Sequence, residues 1–381
     1  MKRTSILLLA SLLVFSCSKN PEIDTEIKSE NSEFVTLKSG IIVEKRGDEY
    51  ILGGDMILSP MQLKALDEKG NLSGEDGKTK DSPDTTIHPV FNIPVAAVEK
   101  KEGTLPRNLG MNADPYRLWA MVRFTYGPSI LNHPNKDYFI NGIKLALNHI
   151  QDNTNVRFYN ATGQPTVDPT WGFAYPYIEI NYVGNLSASS SSHIGRRPEG
   201  GKQELKLADF AFPNPPFDND YSTIVHELCH AIGMMHEQNR PDRDQYVSIK
   251  TNNLTTKGLA QFTKVTTNYS YFGAYDFSSI MGYDSYTSST DHVNNTSLPM
   301  YTKLNGDPIV SGTLLSGLDR IWLNNYHLPY IARSDVYREL ADVVYDGNNN
   351  ILTPSQRLQL QAQLNNGNST PPAGGRIPND F

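Results

Sequence analysis

The run His226-Glu227-Leu228-Cys229-His230-Ala231-Ile232-Gly233-Met234-Met235-His236 holds the densest chemistry in this chain. A spacing of four is slightly more than one helical turn, so His226 and His230 leave the same helix face and present imidazole nitrogens to one ion. Glu227 lies beside that pair, where a carboxylate can act as general base. Gly233 can take the left-handed conformation that ends a helix, and the reversed chain then brings His236 back to complete three nitrogens. Three protein ligands leave the fourth position of a tetrahedral zinc ion open, the mark of a catalytic rather than a structural metal site. Two histidines and a glutamate arise by chance on many surface helices, but the added glycine and third histidine make that reading negligible.

These residues need a scaffold. Ile224, Leu228, Ala231 and Ile232 form the apolar face of the histidine-bearing helix. A second helix is expected from the spacing of Ile140, Ile143, Leu147 and Ile150, with Asp137 as its cap. Residues 118–124 read as a strand, as do 178–182, where Ile178, Ile180 and Tyr182 alternate with Glu179 and Asn181, and 203–207. Strands and helices in this mixture predict an α+β fold. Towards the amino end, residues 34–58 alternate in short apolar runs around a Gly53-Gly54 turn and read as a small ordered unit; 67–86 read as an exposed linker. One more helix is expected over Pro354–Leu364, followed by a tail from Asn365 rich in Asn, Gly and Pro.

The whole chain excludes some functions. Its 381 residues suit one sizeable domain with flanking segments. With 34 Lys+Arg against 41 Asp+Glu, a net charge of -7 and no long basic run, nucleic acid is excluded as a partner. Lys2 and Arg3 precede an apolar run, 6–15, shorter than the roughly 20 residues of a membrane span, so residues 1–16 read as an export signal. Its end, Val14-Phe15-Ser16-Cys17, resembles the lipobox of bacterial lipoproteins, in which the cysteine is acylated; an ordinary cleaved signal with an incidental cysteine is the alternative. The expectation is an exported monomer, membrane-anchored through lipid on Cys17 at the periplasmic or cell surface and released after activation. The chain's 2 cysteines are Cys17 and Cys229, so lipidation would leave Cys229 without a disulfide partner.

The extended histidine motif, together with Ser279-Ile280-Met281-Gly282-Tyr283, resembles the metzincin metallopeptidases, in which a methionine turn lies beneath the metal. Glu237, directly after the third histidine, narrows the resemblance to the astacin family. Gly195-Arg196-Arg197, Gly200-Gly201-Lys202-Gln203 and Asn239-Arg240-Pro241-Asp242-Arg243-Asp244 extend it over residues 119–326. The resemblance implies a twisted sheet with the active-site helix in an upper subdomain and the methionine turn in a lower one. It implies one zinc ion per catalytic domain and hydrolysis of protein or peptide substrates. A water acidified by the metal to a pKa of roughly 7 would lose its proton to Glu227, which would then deliver it to the leaving amine. Tyr283 would donate to the oxyanion and ligate zinc at rest, Met281 would pack under the metal, and Glu237 would reach the amino end of the mature chain through water. Two departures stand out: the paired disulfides of many animal astacins cannot form here, and Gly282 replaces the histidine usual in the methionine turn.

Leu52-Gly53-Gly54-Asp55 resembles the aspartate switch of astacin pro-segments, with Leu in place of Phe; its carboxylate would fill the open zinc position. Read locally, the same residues describe a Gly-Gly hairpin turn before a solvated aspartate. The division expected is signal 1–16, lipidated tether and inhibitory pro-segment 17–112, catalytic domain 113–330, and C-terminal helix and tail 331–381. Lys100-Lys101 and Arg107 are the candidate activation cuts. A retired peptidase used only for binding would normally have lost a ligand or the base, and all are present.

Overall fold

The computed structural model describes residues 32–70, 72, 107–111, 119, 121–184, 189–197, 199–212, 221–265, 269–272, 275–327, 330–332, 338–364 and 367–370, all within one unit of the chain. Cys17, the export signal and the candidate cut at Lys100-Lys101 lie outside the described residues.

A mixed nine-stranded sheet forms the upper layer. Its strands in chain order are β1 (Ser32–Thr36), β2 (Ile42–Arg46), β3 (Glu49–Leu52), β4 (Met56–Ile57), β5 (Val122–Tyr126), β6 (Phe158–Asn160), β7 (Tyr177–Gly184), β8 (Ser191–His193) and β9 (Lys202–Ala208). Their spatial order is β1-β2-β3-β4-β8-β9-β7-β5-β6. The first four make an antiparallel meander, and β4 joins the remainder by pairing in parallel with β8, Met56 opposite Ser192 and Ile57 opposite His193. Strands β9, β7, β5 and β6 run parallel to their neighbours, whereas β8 runs antiparallel to β9. Alternation decides which side faces the core: Ile178 and Ile180 of β7 and Leu205 and Leu207 of β9 are buried, while the residues between them are part-exposed.

Two helices pack on that apolar face. In α2 (Lys136–Asn153), Phe139, Ile143, Ala146, Leu147 and Ile150 are buried, and in α3 (Ser222–Ala231) so are Ile224, Val225 and Leu228; all join one core cluster with the sheet. The α+β expectation stands. Two details are corrected. Asn135 is the N-cap of α2, and Asp137 sits inside the first turn, where its charge still complements the helix dipole. The strand expected over 118–124 begins at Val122; Trp119 instead donates its indole N–H to the Ala231 carbonyl at 2.9 Å, tying this segment to the end of α3.

A ribbon of Val247–Ile249 with Tyr301–Lys303 and the helix α4 (Gly317–Tyr326) hold the Ser279–Tyr283 turn, Tyr301 donating its hydroxyl to Tyr283 O and Asp319 of α4 accepting from Ser279 and Ile280. Ser316 and Asp319 close α4's amino end as a capping box, the side chain of each satisfying backbone N–H groups near the other. The helix expected over Pro354–Leu364 is present.

Candidate metal centre and active site

Helix α3 carries His226 and His230 one turn apart. Gly233, at φ 111°, lets the chain reverse immediately after the helix, with the Met234 N–H bonded back to Cys229 O at 2.9 Å. His236 returns so that its Nε2 lies 3.2 Å from His226 Nε2 and 3.1 Å from His230 Nε2. The other ring nitrogens set the tautomers: His226 Nδ1 lies 2.8 Å from Ile280 O and His230 Nδ1 2.8 Å from Met234 O, so each holds its proton on Nδ1 and turns the Nε2 lone pair inward.

Asp55 reaches the same point from the N-terminal meander. Its Oδ2 lies 3.2 Å from His236 Nε2 and 3.7 Å from His226 Nε2, and its Oδ1 lies 3.5 Å from His230 Nε2. All four ligand atoms fall within 4.8 Å of one another. A zinc tetrahedron with bonds of roughly 2.0–2.1 Å has edges of roughly 3.3–3.4 Å, close to these separations. The Nε2 lone pairs of His226 and His230 converging with the Asp55 carboxylate and His236 fit a cation, and the donor set is that of a single zinc ion.

Close approach of the meander depends on two glycines. Gly53, at φ 64°, lies beside His236 Nδ1, and an added Cβ would sit 2.9 Å from Met56 Cε. A Cβ on Gly54, at φ 101°, would sit 2.2 Å from Gln261 Oε1.

The surrounding groups are charged or poised. Burial disfavours an ionised Asp55, but the neighbouring His236, His230 and His226 side chains hold its carboxyl well below the usual range. Glu227 is 3% exposed, its Oε2 has no hydrogen-bond partner, and burial, followed by the charge of Asp55, pushes its carboxyl well above the usual range. Tyr283 Oη lies 3.1 Å from Gly53 O, 3.2 Å from Asp55 Oδ2 and 3.0 Å from Gln261 Oε1; its single proton serves one of these at a time. Burial, then Asp55, raises this phenol well above its ordinary value.

Met281 is fully buried, and its carbonyl accepts from the Glu237 N–H at 3.1 Å. Glu237, also fully buried, accepts from Arg240 Nη1 at 2.8 Å and from the Asp276 N–H at 3.0 Å. Cys229 is buried, and burial pushes its thiol up, so it packs as a small apolar group.

Three residues at this centre were missed in the sequence. Ser192 donates its backbone N–H to Asp55 O at 2.9 Å. Gln261, 3% exposed, meets Tyr283, and no local pattern announces it. Asp319 accepts from Ser279 Oγ at 2.7 Å and from the Ile280 N–H at 3.0 Å, fixing the carbonyl that orients His226. The Ser316-Gly317-Leu318-Asp319 capping pattern was the available clue to it.

The region that holds the three histidines is similar to known proteins. The sequence pattern of the Astacin peptidase family matches residues 111–327. Zinc metalloproteinase nas-8 of Steinernema carpocapsae is 40% identical over 119 residues, 31% of this chain and 25% of that protein. Flavastacin of Elizabethkingia meningoseptica is 32% identical over 171 residues, 44% of this chain and 32% of its own length. The chain therefore spans about a third or less of these two relatives. A solved structure of High choriolytic enzyme 1, a hatching enzyme zinc-protease from Oryzias latipes, is 24% identical with a TM-score of 0.41, covering 55% of this chain and 92% of that one.

The relatives overturn the expectation of a membrane-anchored lipoprotein. They include astacin-like metalloprotease toxins of Loxosceles. No helix among the described residues is long and apolar enough to cross a membrane. The lipid anchor expected at Cys17, which lies outside the described residues, has no support among these relatives. The match over residues 111–327, with the three histidines and Glu227 inside it, places this chain in the astacin family of zinc metallopeptidases.

Proposed function

We propose that this chain is a secreted zinc endopeptidase made in latent form, with residues 113–330 as its catalytic domain and the meander and helix at 32–72 as the inhibitory part of its pro-segment. One observation carries the reading: a carboxylate from outside the family domain, that of Asp55, completes the donor set of His226, His230 and His236. When bound, zinc supplies a polarised water and a positive charge beside the scissile carbonyl.

The residues divide the remaining work. Glu227 takes the proton at its carboxylate and returns it to the leaving nitrogen. The Tyr283 hydroxyl donates to the oxygen that becomes negative in the transition state, a contribution of about 3 kcal/mol for such a donor. The Ser192 N–H, on the edge strand beside the metal, pairs with the backbone of an extended substrate. In the latent form Asp55 stands in all three places: its carboxylate lies at the ligand position, its Oδ2 faces Tyr283, and its carbonyl takes the Ser192 N–H.

The test compares zinc content and casein hydrolysis for the full chain and for the chain after removal of residues 1–112. The expected outcome is one zinc in each, with hydrolysis only in the shortened form. Zinc in both with no hydrolysis of any protein or peptide offered would instead make this a binding module on a peptidase fold.

A further inference from the structure

Asp55 is a small part of what joins the N-terminal segment to the family domain. Directly after Asp55, β4 forms two residue pairs with β8, the outermost strand of the family domain's part of the sheet. Just beyond, helix α1 (Pro60–Lys69) begins at a capping box of Ser59 and Gln62. The Gln62 side-chain amide donates to Ile194 O at 2.9 Å in a buried position. Glu199, from the other side of the interface, accepts from Ser59 Oγ at 3.0 Å and from the Met61 N–H at 2.9 Å, placing a carboxylate where a helix start leaves N–H groups unpaired and carries positive dipole charge. Lys206 on β9 lies 2.5 Å from Glu49 on β3. Met56, Leu58 and Leu66 share an apolar cluster with Ile194 and Met235. None of these contacts needs a metal.

We infer that residues 32–72 are held by a second, metal-independent latch, anchored where Glu199 caps α1, which keeps the edge strand covered after zinc is lost or the chain is cut between 73 and 106. The inference rests on the reading of this segment as inhibitory. It changes how activation must proceed. A single cut leaves the segment seated as a non-covalent inhibitor, so release requires its digestion or the weakening of the Glu199 contact. Replacing Asp55 frees the metal position and leaves Ser191–His193 still paired with β4, so the uncut Asp55→Asn chain stays latent toward protein substrates.

The test uses the full chain carrying a single site-specific protease sequence between 73 and 106. After cutting, the fragments are followed by size-exclusion chromatography with zinc and with EDTA. Co-elution in both conditions, release at least tenfold faster in Glu199→Gln, and near-unchanged release in Asp55→Asn are the expected results. Separation as soon as EDTA is added, or faster release from Asp55→Asn than from Glu199→Gln, overturns the latch. A charge exchange guards against misfolding: Lys206→Glu alone speeds release, and Lys206→Glu with Glu49→Lys restores retention; a double exchange no slower than the single one also counts against it. Casein hydrolysis by the uncut chain would sink the inhibitory reading itself, whatever the elution profile.

Discussion

The segments flanking the family domain attach to it by different chemistry. At the amino side, residues 32–72 cover a polar strand edge and a metal centre, through a two-pair ladder, part-exposed ion pairs and an apolar cluster. At the carboxyl side, residues 338–364 are clasped by buried amide and guanidinium groups. Asn155, 2% exposed, donates from Nδ2 to Tyr345 O and accepts the Tyr345 N–H on Oδ1, both at 2.9 Å, while its own N–H meets Asn324 Oδ1 at 2.6 Å. Arg157 Nη2 adds a bond to Val343 O at 3.0 Å. Under the proposed latency, water and substrate must later reach what the first segment hides; what the second satisfies would otherwise be a set of orphaned buried groups. On that reading the first is an attachment to be undone, and the second is part of the folded body.

That contrast can be broken at several points. The largest effect belongs to the covered centre: in protein freed of residues 1–112, Glu227→Gln lowers kcat by roughly 10²–10⁴-fold with zinc content unchanged by atomic absorption. A variant that keeps its rate removes Glu227 from the mechanism. Next is the detachable side. Leu66→Ala removes a buried side chain from the segment's cluster, a loss of about 2–5 kcal/mol, and gives the uncut variant a casein hydrolysis that the uncut wild-type chain lacks. Equal latency in the variant would mean that the cluster does not hold the segment.

Acid tests the body. Burial lowers His327 to about 4, and the unfolded side chain titrates near 6.5, so the unfolded state binds more protons between these values. Stability is therefore complete above about pH 6.5 and declines as pH falls toward 4, by up to about 3 kcal/mol from this residue. Denaturant melts of wild type and His327→Gln should converge in acid; parallel curves would remove His327 as the cause. The smallest effect is expected for Asn155→Ala, about 2 kcal/mol from stranding buried partners. It should lower the melting temperature without changing retention of the N-terminal segment after cutting.

The legible parts of the molecule were those written in local spacing. The face of α3, the apolar row of α2, the alternation in β7 and the helix Pro354–Leu364 each follow from residues a few positions apart. The zinc histidines belong to the same class, since one helical turn and one glycine reversal join them. What escaped was long-range. The parallel pairing of Met56 and Ile57 with Ser192 and His193 joins residues far apart in the chain, and nothing in a two-residue strand specifies its partner. Gln261 and Asn155 matter through single hydrogen bonds to distant groups, which leave no periodic trace. Asp137 was misplaced as a cap because the acidic preference of a first turn and that of a cap look alike in sequence.

The bond from Asp319 to the Ser279-Ile280 turn also bears on the order of assembly. His226 takes its orientation from Ile280 O, and Ile280 takes its position from a carboxylate 39 residues further along. A chain emerging from the ribosome exposes its three histidines well before that carboxylate, so metal geometry is completed only when α4 nucleates on its own cap. The three histidines thus precede in the chain the carboxylate that orients one of them, and the site is a product of the whole fold rather than of its own short motif.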